Sequence, residues 1–414
     1  MALSKYRTSL KNERRNVNIF LLFSVTYLIS ANMCSEGYIQ TYLMKLGFGI
    51  SHLRDYGVIC QIISISAYVI LTRMPFFNSG LKRTYAIAVA CMGIFPAFLT
   101  VAWYIPLFPV LYAAVLFTAA LYSFLGAFKA VVEFNMIPYL FPRILFGDTL
   151  GKSMVIGGVI TLFISVGAGY LSGQDGTGTY ALIFGTATAT LIISALISTR
   201  YKPDSGETDE TPPNVKYSDV IKTVASARYR KLLLPHFLRG AGMAGMYYII
   251  PAALERITLT DSERSYLIAI SVLSTTIGSL IFMRLSWLIN SGNITFAATI
   301  TCSVLMPLLV VQTGIVGFYI LYFIFFTSNM ISQVSIPTGV MRSTPNNELR
   351  LITPMRLLLT SSSMSLFIYV FGILLKQIAS LYIMLLSSII FILCGFMFKR
   401  LFDDRLQYCY ENKE

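Results

Sequence analysis

The sequence contains few of the residues from which soluble enzymes build active sites. Only 12% of its 414 residues are charged, and it holds two histidines and six cysteines. A soluble chain carries about a quarter charged residues. The cysteines show neither paired CxxC spacing nor a disulfide pattern, and there is no P-loop, dinucleotide-binding glycine motif or HExxH. We therefore predict that the protein is not an enzyme and has no metal site and no cofactor.

Apolar residues are what the sequence has in abundance, and they make up 56% of the chain. They recur in blocks of about 18–25 residues, the length that crosses a bilayer core. These blocks predict an all-α polytopic membrane protein with twelve transmembrane helices, at 18–43, 56–72, 84–104, 110–138, 153–173, 179–199, 232–254, 266–283, 294–311, 314–338, 357–375 and 379–398.

Basic residues are distributed unevenly between the loops on the two sides of these spans. An even number of spans places both termini on one side, and the tails and loops of that side hold most of the 32 lysines and arginines. Since basic loops stay in the cytoplasm, we predict that both termini are cytoplasmic and that the chain lies in a cell membrane, plasma or inner. The net charge of +13 then reflects topology, and no nucleic-acid partner is predicted.

A polar stretch at 201–231 divides the spans into two sets of six. Its first part is rich in proline and acidic residues, which is typical of a flexible linker. Its second part is amphipathic and basic, which indicates a helix on the membrane surface or an ordinary solvated connector. The predicted domains are a tail at 1–17, a six-helix bundle at 18–200, this linker, a second bundle at 232–398 and a tail at 399–414.

The two sets of spans resemble each other in sequence. Tyr38 and Arg54 recur as Tyr248 and Arg264 at a constant offset of 210 residues. RMPFFNSG in the first set parallels RLSWLINSG in the second, and an Ile-Pro pair recurs in the fourth span of each set. Three matches in the same order indicate a duplicated six-helix unit with a parallel repeat.

Six plus six helices, cytoplasmic termini, a polar central loop and a parallel repeat resemble the major facilitator superfamily over essentially the whole chain. The loop TRMPFFNSGLKRTY keeps only the closing glycine and basic residues of the superfamily's motif between spans two and three. LFPRILFGDTLGKS resembles the superfamily's turn into span five. The resemblance implies two bundles that rock about a central site and a cytoplasmic gating loop set of Arg73, Gly80, Lys82, Arg83 and Arg143.

Two charges of opposite sign occur inside the fourth span, in GAFKAVVEFNMIP. Lys129 and Glu133 lie four residues apart, so they share a helix face and can pair. A charge inside the bilayer costs about 2.5–3.5 kcal/mol and usually faces an aqueous cavity on a substrate or ion path. The alternative is that the span ends earlier and both charges lie in the cytoplasmic interface. Asn135, Asn329 and Gln333 extend this polar set at matching depth.

Other polar residues inside the spans are candidates for the same pathway. Arg239 can hold an anionic group or neutralise a carboxylate, and its alternative is to reach the interface by snorkelling. His236, one turn earlier, is expected at the interface. Glu36 suits proton coupling because burial raises the proton affinity of a carboxylate, and its alternative is an interfacial position. Further hydrogen bonds and stacking surfaces are expected from Gln40, Gln61, Tyr247, Tyr248, Asn329 and Gln333.

Taken together, these observations predict a secondary active transporter that moves a small polar or charged organic solute by alternating access, coupled to protons. It is expected to work as a monomer in the lipid bilayer and to draw on a gradient, since the sequence has no ATP-binding motif. Two alternatives stay open. One is a proton-driven exporter of hydrophobic compounds, which 14% aromatic residues allow. The other is a non-transporting receptor or scaffold with the same fold.

Overall fold

The computed structural model describes residues 2–71, 79–140, 146–171, 177–201, 227–254, 256–257, 261–344, 346–375 and 377–411. Within these ranges there is no strand, and the chain forms fifteen α-helices: α1 Ala2–Met33, α2 Glu36–Lys45, α3 Ile50–Leu71, α4 Ser79–Met92, α5 Ile94–Val101, α6 Phe108–Leu140, α7 Phe146–Leu171, α8 Thr177–Ser198, α9 Ala227–Tyr247, α10 Ile249–Leu254, α11 Asp261–Leu288, α12 Ser291–Val311, α13 Ile315–Ser343, α14 Asn346–Leu374 and α15 Ser380–Glu411.

The helices make twelve crossings in the described part of the chain, because α1 with α2, α4 with α5, and α9 with α10 each form one crossing. Ten crossings are long and apolar enough to span a membrane, and α7 and α9 complete the twelve. The prediction of an all-α membrane protein with twelve spans is therefore confirmed. The helix boundaries lie within a few residues of the predicted spans except where polar turns extend a helix beyond the apolar block.

Two of the composite crossings are interrupted at related positions. α1 ends at Met33, Ser35 is extended (φ −64°, ψ 151°), and α2 begins at Glu36. α9 ends at Tyr247, and α10 begins at Ile249. Helix interruptions at membrane depth are tolerated where they line a cavity, because their free backbone groups need polar surroundings.

Two helix pairs form the largest contacts between α1–α8 and α9–α15 among the described residues, with smaller contacts between α6 and α14, α7 and α13, and α2 and α11. α7 packs against α11, and α3 packs against α14. The first pair is close because glycines of α7 lie in it. A side-chain carbon added at Gly158 would run into Thr276, and one added at Gly151 would run into Met283. Small residues allow helices in membranes to approach in this way.

A buried apolar cluster joins the two sets of helices at the end of the bundle where α1 begins. It contains Ile137 and Leu140 of α6, Ile336 and Met341 of α13, and Phe398 of α15. This cluster closes that end of the bundle among the described residues. The space between the two sets therefore lies nearer the interruptions of the first and seventh crossings.

Candidate functional site

A cavity of about 290 Å³ lies between the two sets of helices, beside both interruptions. α1 and α2 line one side, and α9, α10, α11, α13 and α14 line the other. Its polar lining combines amides, hydroxyls and one carboxylate: Asn32, Ser35, Glu36, Gln40, Thr41, Ser271, Thr275, Asn329 and Gln333. Its larger apolar side chains are aromatic residues and methionines: Tyr38, Met243, Met246, Tyr247, Tyr322, Phe326 and Met364.

Glu36 is the charged residue among the described residues that line this cavity. It lies in the first turn of α2, directly after the interruption, and its side chain is exposed to the cavity rather than packed in the core. A carboxylate in the first turn of a helix is stabilised by the helix dipole. Since no lysine or arginine occurs in the described lining, Glu36 gives the cavity a negative potential that favours a proton or a cationic group.

Hydrogen bonds tie the α2 side of the cavity to the α9 side. The side-chain nitrogen of Gln40, a buried residue, donates to the backbone oxygen of Tyr247 at 3.4 Å. The hydroxyl of Tyr247 donates to the backbone oxygen of Leu53 at 2.6 Å. The Tyr247 ring also lies against the backbone of Gly57, where an added side-chain carbon would come within 2.8 Å of it. These contacts fix the Tyr247 ring at the wall of the cavity.

A layer of side chains connects α3 with α14 and the start of α10, on the side where α3 begins. The hydroxyl of Tyr248 donates to the backbone oxygen of Ile368 at 2.7 Å. The Arg54 guanidinium lies 5.6 Å from the centre of the Tyr369 ring and pairs with the carboxylate of Asp55 at 2.6 Å. Since Arg54 and Tyr369 belong to different sets of helices, separating the sets on this side would break their contact.

Lys129 and Glu133 form an ion pair, with 2.5 Å between the lysine nitrogen and a carboxylate oxygen, and each side chain is 12% exposed. The hydroxyl of Tyr85 donates to the same carboxylate at 3.2 Å. The Lys129 ammonium lies 3.7 Å from the centre of the Tyr27 ring and 5.7 Å from that of Phe23. Both charges therefore have partners within α1–α8, and neither residue belongs to the described lining of the cavity.

Arg239 lies one helical turn from the cavity. Met243, four residues later in α9, lines the cavity, whereas Arg239 itself donates to the hydroxyl of Ser332 at 3.2 Å. His236 is buried, with 2% of its surface exposed, and its ring lies 5.0 Å from that of Phe398. α9 begins at Ala227 and carries His236 between the helices, and an interfacial depth for His236 stays a prediction.

The cavity brings together five of the residues proposed from the sequence, namely Glu36, Gln40, Tyr247, Asn329 and Gln333. The structure places five others outside its described lining, namely Gln61, Lys129, Glu133, Arg239 and Tyr248. The side chain of Asn135 lies outside the described residues.

The proposed gating set is described only in part. Arg73 and Arg143 lie outside the described residues, as do the surroundings of Gly80. The ammonium of Lys82, at the start of α4, donates to the backbone oxygen of Tyr201 at 2.6 Å, while Arg83 is exposed. The Lys82 contact joins α4 to the segment just after α8, within the same set of helices, and does not cross between the sets.

Sequence reasoning missed several residues that the structure places at or near the cavity. Tyr322 and Phe326 precede Asn329 and Gln333 at spacings of seven on one face of α13, and this helical period was the signal that could have found them. Arg356 is buried in α14, with 4% of its surface exposed, and its guanidinium lies 4.7 Å from the centre of the Phe134 ring. Arg356 follows a polar stretch of the sequence, and no helical period there indicated that it is buried.

The chain is similar to known proteins in its structure. No protein-family model and no curated protein sequence matches the chain. The human organic anion transporter MFSD10 (TETRAN) has a TM-score of 0.67 at 10% identity, over 93% of this chain and 99% of that one. A bacterial homologue of the iron transporter ferroportin has a TM-score of 0.66 at 13% identity, over 95% and 99%.

The fucose:proton symporter FucP of E. coli, a major facilitator superfamily (MFS) transporter, matches with a TM-score of 0.64 at 13% identity, over 93% of this chain and 98% of that one. The chain has the MFS fold. The resemblance inferred from the sequence is thus confirmed for the whole length of the fold. At identities of 10–13%, the similarity to these proteins shows the fold and does not indicate which substrate this chain binds. The chemistry of the cavity is therefore derived from its own side chains.

Proposed function

We propose that this protein is a secondary active transporter that moves a small organic solute across a cell membrane by alternating access, with protons as the coupling ion. The observation that carries the proposal is the cavity between the two sets of helices, with the Glu36 carboxylate exposed in it. Interrupted helices beside a central cavity are the usual way in which transporters bind solutes at mid-membrane depth.

The lining of the cavity supports a solute that is polar and either neutral or positively charged. Amides and hydroxyls offer hydrogen bonds, aromatic rings can contact a cation, and the Glu36 carboxylate repels anions at close range. Small-molecule pockets usually measure about 300–1,000 Å³. A cavity of about 290 Å³ favours a small solute over the large hydrophobic compounds of a multidrug exporter.

Alternating access requires that the cavity open to one side at a time. In this proposal, the layer of Arg54 and Tyr369 closes it on one side, and the apolar cluster that includes Ile137 and Ile336 closes it on the other. With cytoplasmic termini, the first layer is the outer closure and the second is the inner one. Rocking the two sets about the α7–α11 and α3–α14 contacts would open one closure while keeping the other.

Glu36 is the residue that we propose to couple protons to solute. A proton on its carboxylate removes the negative charge from the cavity, so protonation and binding of a cationic or hydrogen-bonding group influence each other. Such a coupling between two ligands is typically worth about 1–3 kcal/mol, or about 5–150-fold in affinity. We also propose that the transporter works as a monomer.

Transport by purified full-length protein in liposomes tests the proposal. Labelled sugars, amino acids and amines are offered with and without an imposed pH gradient. Glu36→Gln keeps the shape of the side chain and removes its charge. We expect it to lower gradient-driven accumulation by about fivefold or more, while exchange of labelled for unlabelled solute continues.

Asp148→Asn changes a partly exposed carboxylate at the start of α7, outside the described lining of the cavity, and serves as the matched control that should accumulate solute normally. If Glu36→Gln accumulated solute as well as the unaltered protein, Glu36 would not be the coupling residue. If folded protein moved none of the offered solutes in either direction, the transporter proposal itself would fail.

A further inference from the structure

Three basic side chains lie on the packed helices α9 and α14, and Arg239, the nearest of them to the cavity, is one helical turn from it. His236 and Arg239 are three residues apart on one face of α9, and Arg356 lies on α14, which packs against α9. The Thr360 hydroxyl lies 2.8 Å from the backbone oxygen of Arg356 and 3.1 Å from that of His236. Because one hydroxyl reaches both backbone oxygens, His236 and Arg356 lie within about one helical turn of each other along the α9–α14 interface.

His236 and Arg356 are buried, Arg239 is partly buried, and the described residues offer them few polar partners. His236 is 2% exposed and Arg356 is 4% exposed. Within the described part of the chain, Nε2 of His236 and Nε of Arg356 have no hydrogen-bond partner. Arg239 donates to the neutral hydroxyl of Ser332, and Arg356 lies over the neutral ring of Phe134.

Acidic residues that could compensate these charges are scarce in the sequence of the surrounding helices. α9 and α13 contain no aspartate or glutamate. α14 contains only Glu348, eight residues before Arg356, which is about 12 Å along a helix axis. The side chains of Glu348 and of Asp403 and Asp404 in α15 lie outside the described residues. Glu133 of α6 is already paired with a lysine.

From this juxtaposition we infer that Arg239, Arg356 and His236 form a binding site for an oxyanion, the carboxylate or phosphate group of a soluble small molecule. An arginine remains charged in proteins, so the buried Arg356 beside the partly buried Arg239, with no counter-charge among the described residues, is costly unless an anion joins them. The planar guanidinium fork matches two oxygens of a carboxylate or phosphate.

The site lies beside the cavity but is not part of its described lining. Met243 follows Arg239 by one turn, and Gln333 is the neighbour of Ser332, and both line the cavity. The inference concerns binding alone, so it holds or fails independently of whether the protein transports a solute.

Binding is tested on purified full-length protein in detergent by thermal unfolding. Succinate or inorganic phosphate is titrated at constant ionic strength, with sodium chloride as the balancing salt. A bound anion should raise the midpoint of unfolding in a saturable way. Arg356→Gln and Arg239→Gln should each weaken binding by about tenfold or more, since each loses a charge-assisted hydrogen bond. Arg284→Gln, an exposed arginine of α11, should bind like the unaltered protein.

The unliganded stability of Arg356→Met adds a second measurement. Because it removes an uncompensated buried charge, this variant should unfold at the same temperature as the unaltered protein or at a higher one. A large loss of stability would mean that the arginine has a structural partner, and would overturn the proposal. The proposal would also be overturned if neither succinate nor phosphate raised the midpoint of unfolding above its value in sodium chloride alone. It would be overturned as well if Arg356→Gln and Arg239→Gln both responded to the anions like the unaltered protein.

A lipid phosphate shares the chemistry of a soluble phosphate, so the titration is repeated in nanodiscs of phosphatidylcholine with and without phosphatidylglycerol. We expect succinate and phosphate to stabilise the protein in both. Stabilisation by phosphatidylglycerol alone, with no response to either soluble anion, would overturn the assignment to a soluble ligand.

Discussion

The two halves of the molecule treat buried charge in opposite ways. In the first half, Lys129 and Glu133 neutralise each other at 2.5 Å. If the Ile-Pro pairs of the fourth and tenth spans are aligned, Glu133 corresponds to Ser332, which accepts a hydrogen bond from Arg239. The second half thus has a hydroxyl where the first has a carboxylate, and it adds the buried Arg356. The first half thus contains a carboxylate that neutralises its buried lysine. Among the described residues, the second half contains no carboxylate that neutralises Arg239 or Arg356.

This difference separates a structural role from a ligand-binding role. Breaking a buried ion pair by removing one member leaves an uncompensated charge, which is strongly destabilising. Removing a charge that had no partner has the reverse effect or none. The same type of substitution should therefore have opposite consequences in the two halves.

The largest expected effect is that of breaking the first-half pair. Glu133→Leu leaves the Lys129 ammonium without its carboxylate and Tyr85 without its acceptor. We expect a loss of about 3–5 kcal/mol in the free energy of unfolding, measured by chemical denaturation in detergent micelles. The double variant Lys129→Leu with Glu133→Leu should recover most of that loss, because apolar pairs often replace buried ion pairs without cost.

A second outcome would support the role in the transport pathway that the sequence suggested for Lys129 and Glu133. If Glu133→Leu were as stable as the unaltered protein and yet abolished gradient-driven accumulation, the carboxylate would act on solute or protons. Comparing stability and accumulation in the same preparation distinguishes the two roles.

A smaller effect is expected from separating the helices that hold the second-half cluster. A side-chain carbon at Gly240 would run into the backbone oxygen of Thr360 and lie 3.0 Å from Cβ of Ser363. Because backbone cannot move aside cheaply, Gly240→Ala should cost about 1–3 kcal/mol in the free energy of unfolding. It should also weaken binding of succinate, since α9 and α14 carry Arg239 and Arg356.

Gly167→Ala in α7 is the matched control, because no described atom lies within 4 Å of its added carbon. It should be neutral or more stable by up to about 1 kcal/mol, the helix preference of alanine over glycine. Equal losses in the two variants would mean that the close approach of α9 and α14 is not what Gly240 provides.

The sequence was sufficient for the fold because twelve apolar blocks and their basic loops leave few arrangements open. It was less informative about the cavity. The spacing of Lys129 and Glu133 shows that they share a helix face, but not that this face packs on Tyr27 and Tyr85. That outcome depends on how α6 is rotated against α1 and α4, which only tertiary packing decides.

Two residues show why local patterns failed. Arg356 follows a polar stretch, so hydropathy placed it before the eleventh span, whereas α14 begins at Asn346 and carries it about three turns into a helix. Glu36 was a candidate from the first span, but the break that exposes it to the cavity consists of Cys34 and Ser35, and the nearest glycine, Gly37, comes only after Glu36. In both cases the sequence did not show where a helix begins, which apolar windows define poorly.

The smallest expected effect comes from an ion pair with the same spacing in the opposite environment. Asp148 and Lys152 also lie four residues apart, at 2.6 Å, but their side chains are 27% and 57% exposed. Water and salt screen such a pair, so Lys152→Ala should change the free energy of unfolding by no more than about 0.5 kcal/mol. Unfolding at low and high salt measures the change, and the small difference should vanish at high salt. If Lys152→Ala instead lowered the free energy of unfolding as much as Glu133→Leu, burial would not be what distinguishes the two pairs. Burial would then also give no reason to expect an anion beside the arginines of the second half.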